Sequence, residues 1–477
     1  MLRTEKRGFT PFYPQCVCVA SSAAELCHAT LDAFAAESRE ISPAERRLST
    51  KHIHNIIIQN MLKQLVNECC LCVFSCSVVS RRLNELSRHS PLWKSLCSKH
   101  WLLTDAQRQQ SGLSWYSLFR QYYSDLGRYI RFYPVLKSCW EQIKAYLKER
   151  CPRMITSLKD GATEAELNDI EALIGCRLPD DYRCSYRIHN GQILVIPGLM
   201  GSMSLSNHYR SEVLLDVETA AGGFQQRKGM RGCLPLTFCF HTGLSQYMAL
   251  EPAEGRRCFE SFYPCPDQMA QDPSAIDMFI TGSCFLEWFT TYVQNVVSGE
   301  FPIIRDQIFR YVHDKSCVAT TGDITVSVST SFLPELSSVH PPHFFFTYRI
   351  RIEMSSSALP DAACQLDSRY WKITTSDGNV EEVQGPGVVG EFPVMTPGKV
   401  HEYASCTTFS TPSEYMEGHY TFHRLANKEE VFQVTIPRFH MVCPPFREPP
   451  APTVTPLHLK LPFHKNAHIF SPVGDFH

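Results

Sequence analysis

The chain has 477 residues, about three times the length of a typical domain, so the sequence predicts more than one domain. Hydrophobic residues make up 44% and charged residues 20%, a composition too apolar for a mostly disordered chain. The 46 basic and 48 acidic residues give a net charge of −2. No overall field therefore attracts nucleic acid or an anionic membrane, and we expect neither as a partner.

The apolar runs and the cysteines indicate a reducing, aqueous environment. Residues 69–79 form the longest nearly uncharged apolar run, and it is much shorter than the roughly 20 residues that a membrane-spanning helix needs. The 21 cysteines are scattered singly, unlike those of a short disulfide scaffold. Cys69, Cys70, Cys72 and Cys76 lack a second pair at zinc-binding spacing. We expect reduced thiols, no metal or cofactor, and a location in the cytoplasm and nucleus.

The N-terminal part divides at about residue 66. Residues 1–65 show no firm period, and we expect them to be poorly structured. Residues 66–105 follow a helical, cysteine-rich pattern, in which Leu83, Leu86 and Leu92 with Trp93 could form one small apolar face. This pattern predicts a small helical domain.

Residues 106–300 have the pattern of an α+β domain. Helical spacing predicts one amphipathic helix with its apolar stripe at Leu136, Trp140, Ile143 and Leu147. Thr163 and Glu166 have the spacing of a capping box at the start of the next helix. That helix is expected to bury a stripe and to end at Gly175; the stripe consists of Leu167, Ile170, Leu173 and Ile174.

The same region should contain two further helices and a strand. Pro179 can begin a short helix that Asn190-Gly191 would end, and residues 193–196 read as a strand. A broad apolar stripe finishes before Gly299 and predicts a last helix. Its residues are Phe285, Trp288, Phe289, Tyr292, Val293 and Val296.

From residue 301 to 445 the hydrophobic period changes to two. Ile324, Val326 and Val328 alternate with Ser and Thr, and residues 344–352 alternate in the same way. Asp377-Gly378 is a strong hairpin signal between two such runs. Several strands with frequent turns predict a β-sandwich that closes its own core. Residues 446–477 are rich in proline, and we expect an extended tail.

Three stretches, in this order, resemble parts of one protein family. Residues 78–83 (VVSRRL) with 90–93 (SPLW) look like the second half of an F-box. Residues 170–175 (IEALIG), 178–182 (LPDDY) and Asn190-Gly191 resemble a SUKH-type, Smi/Knr-like domain. Residues 385–391 (GPGVVGE) and 416–420 (MEGHY) resemble an ApaG domain. The chain is therefore similar to F-box proteins that carry SUKH-type and ApaG domains.

This resemblance implies both a fold and a function. The implied fold is multidomain, with a small helical F-box remnant, an α+β SUKH-type domain and an all-β, immunoglobulin/fibronectin-like ApaG sandwich. The implied function is substrate recognition within an SCF-type cullin–RING ubiquitin ligase, leading to ubiquitination and proteasomal degradation of the substrate. The expected partners are the Skp adaptor, the cullin–RING core and protein substrates. No residue of this chain would be catalytic, because the transfer chemistry belongs to other subunits.

The resemblance also implies which residues bind. Five apolar residues would contact the adaptor: Val79, Leu83, Leu86, Leu92 and Trp93. Four residues of the ApaG motif would form a possible ligand or substrate loop: Gly385, Gly387, Gly390 and Glu391. F-boxes normally open with Leu-Pro, which residues 55–60 (NIIIQN) lack. A substrate-binding decoy without ligase coupling is therefore one alternative.

The glycine loop raises a second alternative. Its three glycines match the G-x-G-x-x-G spacing of dinucleotide-binding loops, but Pro393 and Pro397-Gly398 follow where that motif requires a helix. A glycine loop between strands could still bind an anion through its N–H groups. The enzyme hypothesis is therefore an ApaG protein that binds or hydrolyses a pyrophosphate-containing nucleotide. We expect tight-turn geometry instead, with at least one of these glycines at positive φ.

Overall fold

The computed structural model describes residues 90–193, 197–203, 211–253, 255–265 and 276–447. The chain divides into two compact units, one ending at Pro134 and the other starting at Val135. Several predictions lie outside the described residues: those for residues 1–89, which include Val79, Leu83 and Leu86, for residues 194–196, and for the tail beyond residue 447. None of the helices in the described ranges has the length and apolar character needed to cross a membrane.

The first unit contains three α-helices and a short 3₁₀ turn within the described residues. These elements are α1 Ser90–Trp101, α2 Asp105–Ser111, α3 Trp115–Leu126 and the 3₁₀ turn Gly127–Tyr129. Thr104 and Gln107 form a reciprocal capping box at the start of α2. The Ser114 side chain accepts a hydrogen bond from the Ser117 N–H and so caps α3. These caps define where α2 and α3 begin. Helix α1 packs against α3.

A longer helix has its first two residues in the first unit and the rest in the second, which contains further helices. Their bounds are α4 Tyr133–Arg150, α5 Pro152–Thr156, α6 Glu164–Ile174, α7 Asp180–Ile188, α8 Val217–Gly222 and α9 Phe285–Val297. Three 3₁₀ turns accompany them at Lys228–Met230, Pro334–Leu336 and Pro360–Ala362. The predicted α4 stripe is fully buried, and the apolar residues predicted for α9 are buried as well.

The predicted start and end of α6 are confirmed, but one residue of its stripe is not. Thr163 and Glu166 form the capping box, and Gly175 takes the left-handed conformation with φ 72°. Leu173 is 73% exposed, so its assignment to the buried stripe was wrong. The reason is geometric, because consecutive helix positions are about 100° apart and the adjacent Ile174 already lies on the buried face.

The strands of the second unit range from two to twelve residues. In chain order they are β1 Val213–Leu214, β2 Cys233–Pro235, β3 Thr237–Phe238, β4 Tyr247–Ala249, β5 Ser261–Pro264, β6 Met278–Gly282, β7 Ile303–Ile304, β8 Gln307–Ile308, β9 Val318–Thr321, β10 Ile324–Phe332, β11 Phe344–Met354, β12 Cys364–Thr375, β13 Val380–Pro386, β14 Val394–Met395, β15 Val400–Phe409, β16 Ser413–Arg424, β17 Val431–Val442 and β18 Phe446–Arg447.

The α+β part is built around a small antiparallel sheet of order β18-β6-β5-β4-β2. Two-stranded pairs, β1 with β3 and β7 with β8, accompany it. Phe446 and Arg447, which begin the predicted tail, supply the edge strand beside β6. The C-terminal part of the described chain therefore returns from the sandwich to this sheet.

The predicted β-sandwich is confirmed, but the expectation that it closes its own core was wrong. One sheet has the order β15-β11-β10-β9, and the other has the order β13-β12-β16-β17, with β14 also paired to β12. Asp377-Gly378 lies in the connection from β12 to β13, with Gly378 at φ 85°. The core between the sheets is not confined to them, because Tyr263 and Phe279 of the α+β part belong to the same buried cluster.

Candidate functional site

The glycine motif forms a hairpin between β13 and β14, which we call the glycine hairpin (residues 385–392). Val388 and Glu391 exchange two backbone hydrogen bonds of 2.8 Å each. Between them, Val389 and Gly390 have φ values of 49° and 79°. Two central residues at positive φ are typical of a type I′ turn. The sequence-based expectation of a tight connection with a glycine at positive φ is confirmed.

The three glycines have different roles. Gly387 has φ 56°, and a Cβ there would lie 2.4 Å from the Glu391 carbonyl oxygen, so this position cannot hold a larger residue without movement. Gly390 has positive φ but open space around it. Gly385 lies inside β13 opposite Arg369, not in the turn where the motif suggested it. Only two of the three glycines therefore shape the turn.

Arg369 fastens the base of the hairpin to β12. Its Nη1 donates hydrogen bonds to the carbonyl oxygens of Pro386 and Gly387, at 2.9 and 2.8 Å. The Gly387 N–H donates to the Asp367 carbonyl oxygen at 2.8 Å. The base of the hairpin is consequently fixed to β12, and Val388 next to it is buried in the core.

The tip presents apolar side chains to solvent. Val389 is 50% exposed and Phe392 is 49% exposed. A β-branched residue at positive φ is strained, because its Cβ crowds the backbone in the left-handed region. Strained residues persist where the surrounding structure holds them, and they cluster at functional sites. The hairpin tip is therefore a candidate contact point.

The hairpin lies beside the start of β15. Glu391 Oε2 is 3.8 Å from His401 Nε2. Tyr403 lies two residues further along β15. Its hydroxyl shares a 2.5 Å hydrogen bond with the hydroxyl of Tyr420 on β16. Burial raises the pKa of both tyrosines and lowers that of His401, which favours the neutral form of all three groups. The three groups beside the hairpin are thus polar and uncharged, and Tyr420 is fully buried.

This geometry is poorly suited to a phosphate. The N–H groups of Gly387, Val388 and Glu391 already donate within the protein. The Arg369 guanidinium is directed at carbonyl oxygens, and the Glu391 carboxylate would repel an anion. Among the described residues, no group of three His, Cys, Asp or Glu side chains could hold a metal ion. The arrangement is better suited to a contact surface than to nucleotide chemistry.

The described part of the predicted adaptor-binding region lies in α1. Leu92 is 6% exposed and Trp93 is fully buried. The Trp93 ring contacts Tyr116 and Phe119 of α3, with ring centroids 5.0 and 5.1 Å apart. Trp93 thus stabilises the packing of α1 on α3. A contact of either residue with an adaptor stays a prediction.

A buried ionic cluster in the second unit was not predicted from the sequence. The Glu212 carboxylate, 1% exposed, pairs with Arg310 and accepts hydrogen bonds from Tyr263 Oη at 2.5 Å and Thr237 Oγ1 at 2.6 Å. Burial raises the pKa of Tyr263 well above its usual value, so this phenol remains a donor. Arg310 also lines a cavity of about 440 Å³ beside Phe332 of the sandwich. Glu212 and Arg310 are 98 residues apart in sequence, and no local pattern signals their pairing.

Known proteins resemble the chain along most of its length. A model described as the SMI1 / KNR4 family (SUKH-1) matches residues 161–289, and one described as the ApaG domain matches residues 334–424. The SUKH-type and ApaG resemblances drawn from the sequence are therefore confirmed.

Three relatives show how the matches are distributed. F-box only protein 3 of Homo sapiens is 69% identical over 375 residues, covering 79% of this chain and 80% of that protein. F-box protein SKIP16 of Arabidopsis thaliana is 23% identical over 385 residues, covering 72% of this chain and 87% of the relative. Protein ApaG of Beijerinckia indica is 42% identical over 124 residues, covering 26% of this chain and 91% of the relative. By the first of these matches, the chain belongs to the F-box only protein 3 family.

Proposed function

We propose that this chain is the substrate-recognition subunit of an SCF-type cullin–RING E3 ubiquitin ligase. It recruits target proteins for ubiquitination and proteasomal degradation. The observation that carries the proposal is the 69% identity over 375 residues with a protein named for its F-box. We also propose that the protein acts in the cytoplasm and nucleus, where the ubiquitin system and reduced thiols coexist.

In this proposal the two units have separate tasks. The helical unit that contains α1 and α3 binds the Skp adaptor, which links it to the cullin–RING core. The second unit binds the substrate through its SUKH-type and ApaG parts. The glycine hairpin has a base fixed by hydrogen bonds and an exposed apolar tip, a feature suited to contact with another protein.

The chain itself is a non-catalytic receptor in this proposal. A ligase receptor contributes by holding the substrate near the transfer centre, and such positioning alone accounts for large rate effects. The hydrogen bonds of the glycine hairpin support this reading, since the N–H groups of Gly387, Val388 and Glu391 are already engaged. The Arg369 guanidinium beneath the hairpin is engaged too. A nucleotide-hydrolysing site would need cationic groups free to neutralise phosphate charge.

The decisive experiment is affinity purification of the tagged full-length chain from cells, with quantification of co-eluting Skp adaptor and cullin. Recovery of both, together with ubiquitin transfer to a co-purified protein, is expected. Absence of the adaptor would contradict the receptor function and favour a decoy that binds substrates without ligase coupling. Calorimetry with dinucleoside polyphosphates tests the enzyme alternative separately, because tight binding with hydrolysis would contradict a non-catalytic role.

A further inference from the structure

Edge strands of the sandwich differ in how they are protected. Such strands carry unpaired backbone N–H and C=O groups, and proteins usually block them with short strands, prolines, bulges or charges. At the edges of the two sheets, β9 has only four residues, and β13 carries Glu382 and ends at Pro386. β17 contains Pro437 beside a register shift. Each of these three edges thus has a feature that discourages strand addition.

The β17 edge is also closed by side chains of the facing sheet. The Thr435 N–H donates to Thr321 Oγ1 at 3.1 Å, and Thr330 Oγ1 donates to the His440 carbonyl oxygen at 3.3 Å. These bonds satisfy backbone groups that would otherwise be available to another strand. One side of the sandwich is therefore sealed by its own residues.

The remaining edge, β15, has none of these features. It pairs with β11 through ten consecutive residues without a register shift, and its sequence contains no proline, lysine or arginine. Its one acidic side chain, Glu402, is bonded to Arg349 at 2.7 Å and lies 3.3 Å from Arg351 of β11. This charge is therefore held against the sheet instead of guarding the edge.

Backbone hydrogen bonds on the two sides of β11 establish which β15 groups face outward. The Met354 N–H donates to the Lys399 carbonyl oxygen at 3.0 Å, so the odd-numbered residues of β15 pair with β11. The Leu333 N–H donates to the Phe345 carbonyl oxygen on the other side of β11, in agreement with this alternation. The backbone groups directed away from β11 belong to Val400, Glu402, Ala404, Cys406 and Thr408. Within the described ranges, no backbone hydrogen bond to these groups is formed on the open side.

The side chains of β15 would flank an added strand on both faces of the sheet. Ala404 and Cys406 have small side chains on the outer face, whereas Tyr403 and Ser405 on the inner side are only half-buried. An added strand would cover both sets with alternate side chains. At the start of β15 it would meet the glycine hairpin, which His401 contacts through Glu391.

We propose that β15 binds an extended segment of the substrate protein as an additional strand. Main-chain hydrogen bonds to the five outward-facing residues give affinity, and the side chains near Ala404, Cys406 and the hairpin tip select the sequence. This inference rests on the proposed receptor function and specifies the substrate as a protein with an accessible, unpaired segment.

The test uses the full-length chain and a random 12-residue peptide library displayed on phage. Ala404→Pro removes one outward N–H while leaving the bonds to β11, since proline is tolerated where the N–H of an edge strand faces solvent. Thr320→Pro makes the same change on the exposed, opposite edge strand β9 and is the matched control. Peptides selected on the wild-type chain are synthesised, and their Kd is measured for all three proteins, whose folding is checked by thermal unfolding.

We expect selected peptides to bind Ala404→Pro at least tenfold more weakly than the wild type and to bind Thr320→Pro unchanged. Hydrogen exchange should show peptide-dependent protection of the amides of Glu402, Ala404 and Cys406. Because Ala404→Pro could perturb folding, a second comparison uses peptides N-methylated at alternate residues. Methylation on the pairing side should abolish binding to the wild-type protein, and methylation on the other side should not.

Several results would overturn the proposal. These are equal affinity for Ala404→Pro, protection located outside β15, insensitivity to N-methylation, or failure to select any peptide. A wild-type dimer that Ala404→Pro converts to a monomer, without peptide protection, would instead assign this edge to a second copy of the chain. Adaptor recovery is measured on the same proteins. Loss of adaptor with intact peptide binding would contradict the receptor function alone.

Discussion

Glu414 gives the sharpest test of the sandwich energetics, because it is a carboxylate buried at an inward-facing position of β16. It is 3% exposed, and its Oε1 accepts a hydrogen bond from Thr411 Oγ1 at 2.6 Å. Its Oε2 has no hydrogen-bond partner among the described residues. Burial, and secondarily the carboxylates of Asp377 and Glu381, raise the pKa of Glu414 from 4.5 to about 7.

The shift defines how stability depends on pH. Between pH 4.5 and about 7, the folded protein holds a proton on Glu414 that the unfolded chain releases. The free energy of unfolding therefore falls as the pH rises through this range, and the loss is complete above about pH 7. At about 1.4 kcal/mol per pKa unit, the total loss is about 3 kcal/mol.

Glu414→Gln removes the charge and keeps the carbonyl acceptor for Thr411. We expect the variant to be more stable than the wild type by up to about 3 kcal/mol at pH 8, with a difference that shrinks towards pH 5. Native-state hydrogen exchange of the β16 amides measures this locally, once rates are scaled by intrinsic exchange at each pH. Glu417→Gln, which breaks a solvent-facing pair with Arg438, should change stability by no more than about 1 kcal/mol. Equal stability differences for Glu414→Gln at pH 5 and pH 8 would refute the reasoning.

Three further substitutions test other parts of the chain. Trp93→Ala should destabilise the helical unit by about 3–5 kcal/mol and reduce adaptor recovery. Leu113→Ala, at an exposed site, should do neither. Normal adaptor recovery with Trp93→Ala would contradict the adaptor prediction. Gly387→Ala should lower the melting temperature more than Gly390→Ala, because only at Gly387 does the new Cβ clash with a neighbouring atom in addition to the strain of positive φ. Equal decreases in melting temperature would argue against this geometry. Val389→Asn should raise the free energy of unfolding by about 1 kcal/mol, since Asn tolerates the left-handed region. It should also weaken substrate recruitment. A less stable variant would show that Val389 is not strained.

Local patterns predicted the parts of the fold that depend on local physics. The alternation in β10 and β11 and the capping box of α6 each follow from the geometry of one element. Leu173 was misplaced because it lies about 120° around the helix from Leu167 and about 100° from Ile174, outside the face that these two residues share with Ile170. The inward direction of Glu414 could have been read from its alternation with Met416 and Tyr420, all on one face of β16.

Features that depend on pairing between distant segments could not be read in this way. Glu212 finds Arg310 only through the tertiary fold, and Phe446 joins a sheet formed mainly by residues 233–282. The status of β15 as an edge depends on strand order, which alternation alone does not specify. The G-x-G-x-x-G spacing was a sound signal of a tight turn, but the presence of Val389 at positive φ required the backbone itself.

The strained turn and the open edge together support recognition as the task of the sandwich. Asn in place of Val389 would relieve the strain, and a proline or lysine in β15 would close the edge, without disturbing the core between the sheets. Both features therefore lower stability or solubility without serving the fold. They also lie next to each other, since Glu391 of the hairpin contacts His401 at the start of β15. A contact surface for an extended protein segment explains why both occur at one place, and Val389→Asn with Ala404→Pro tests the two contributions independently.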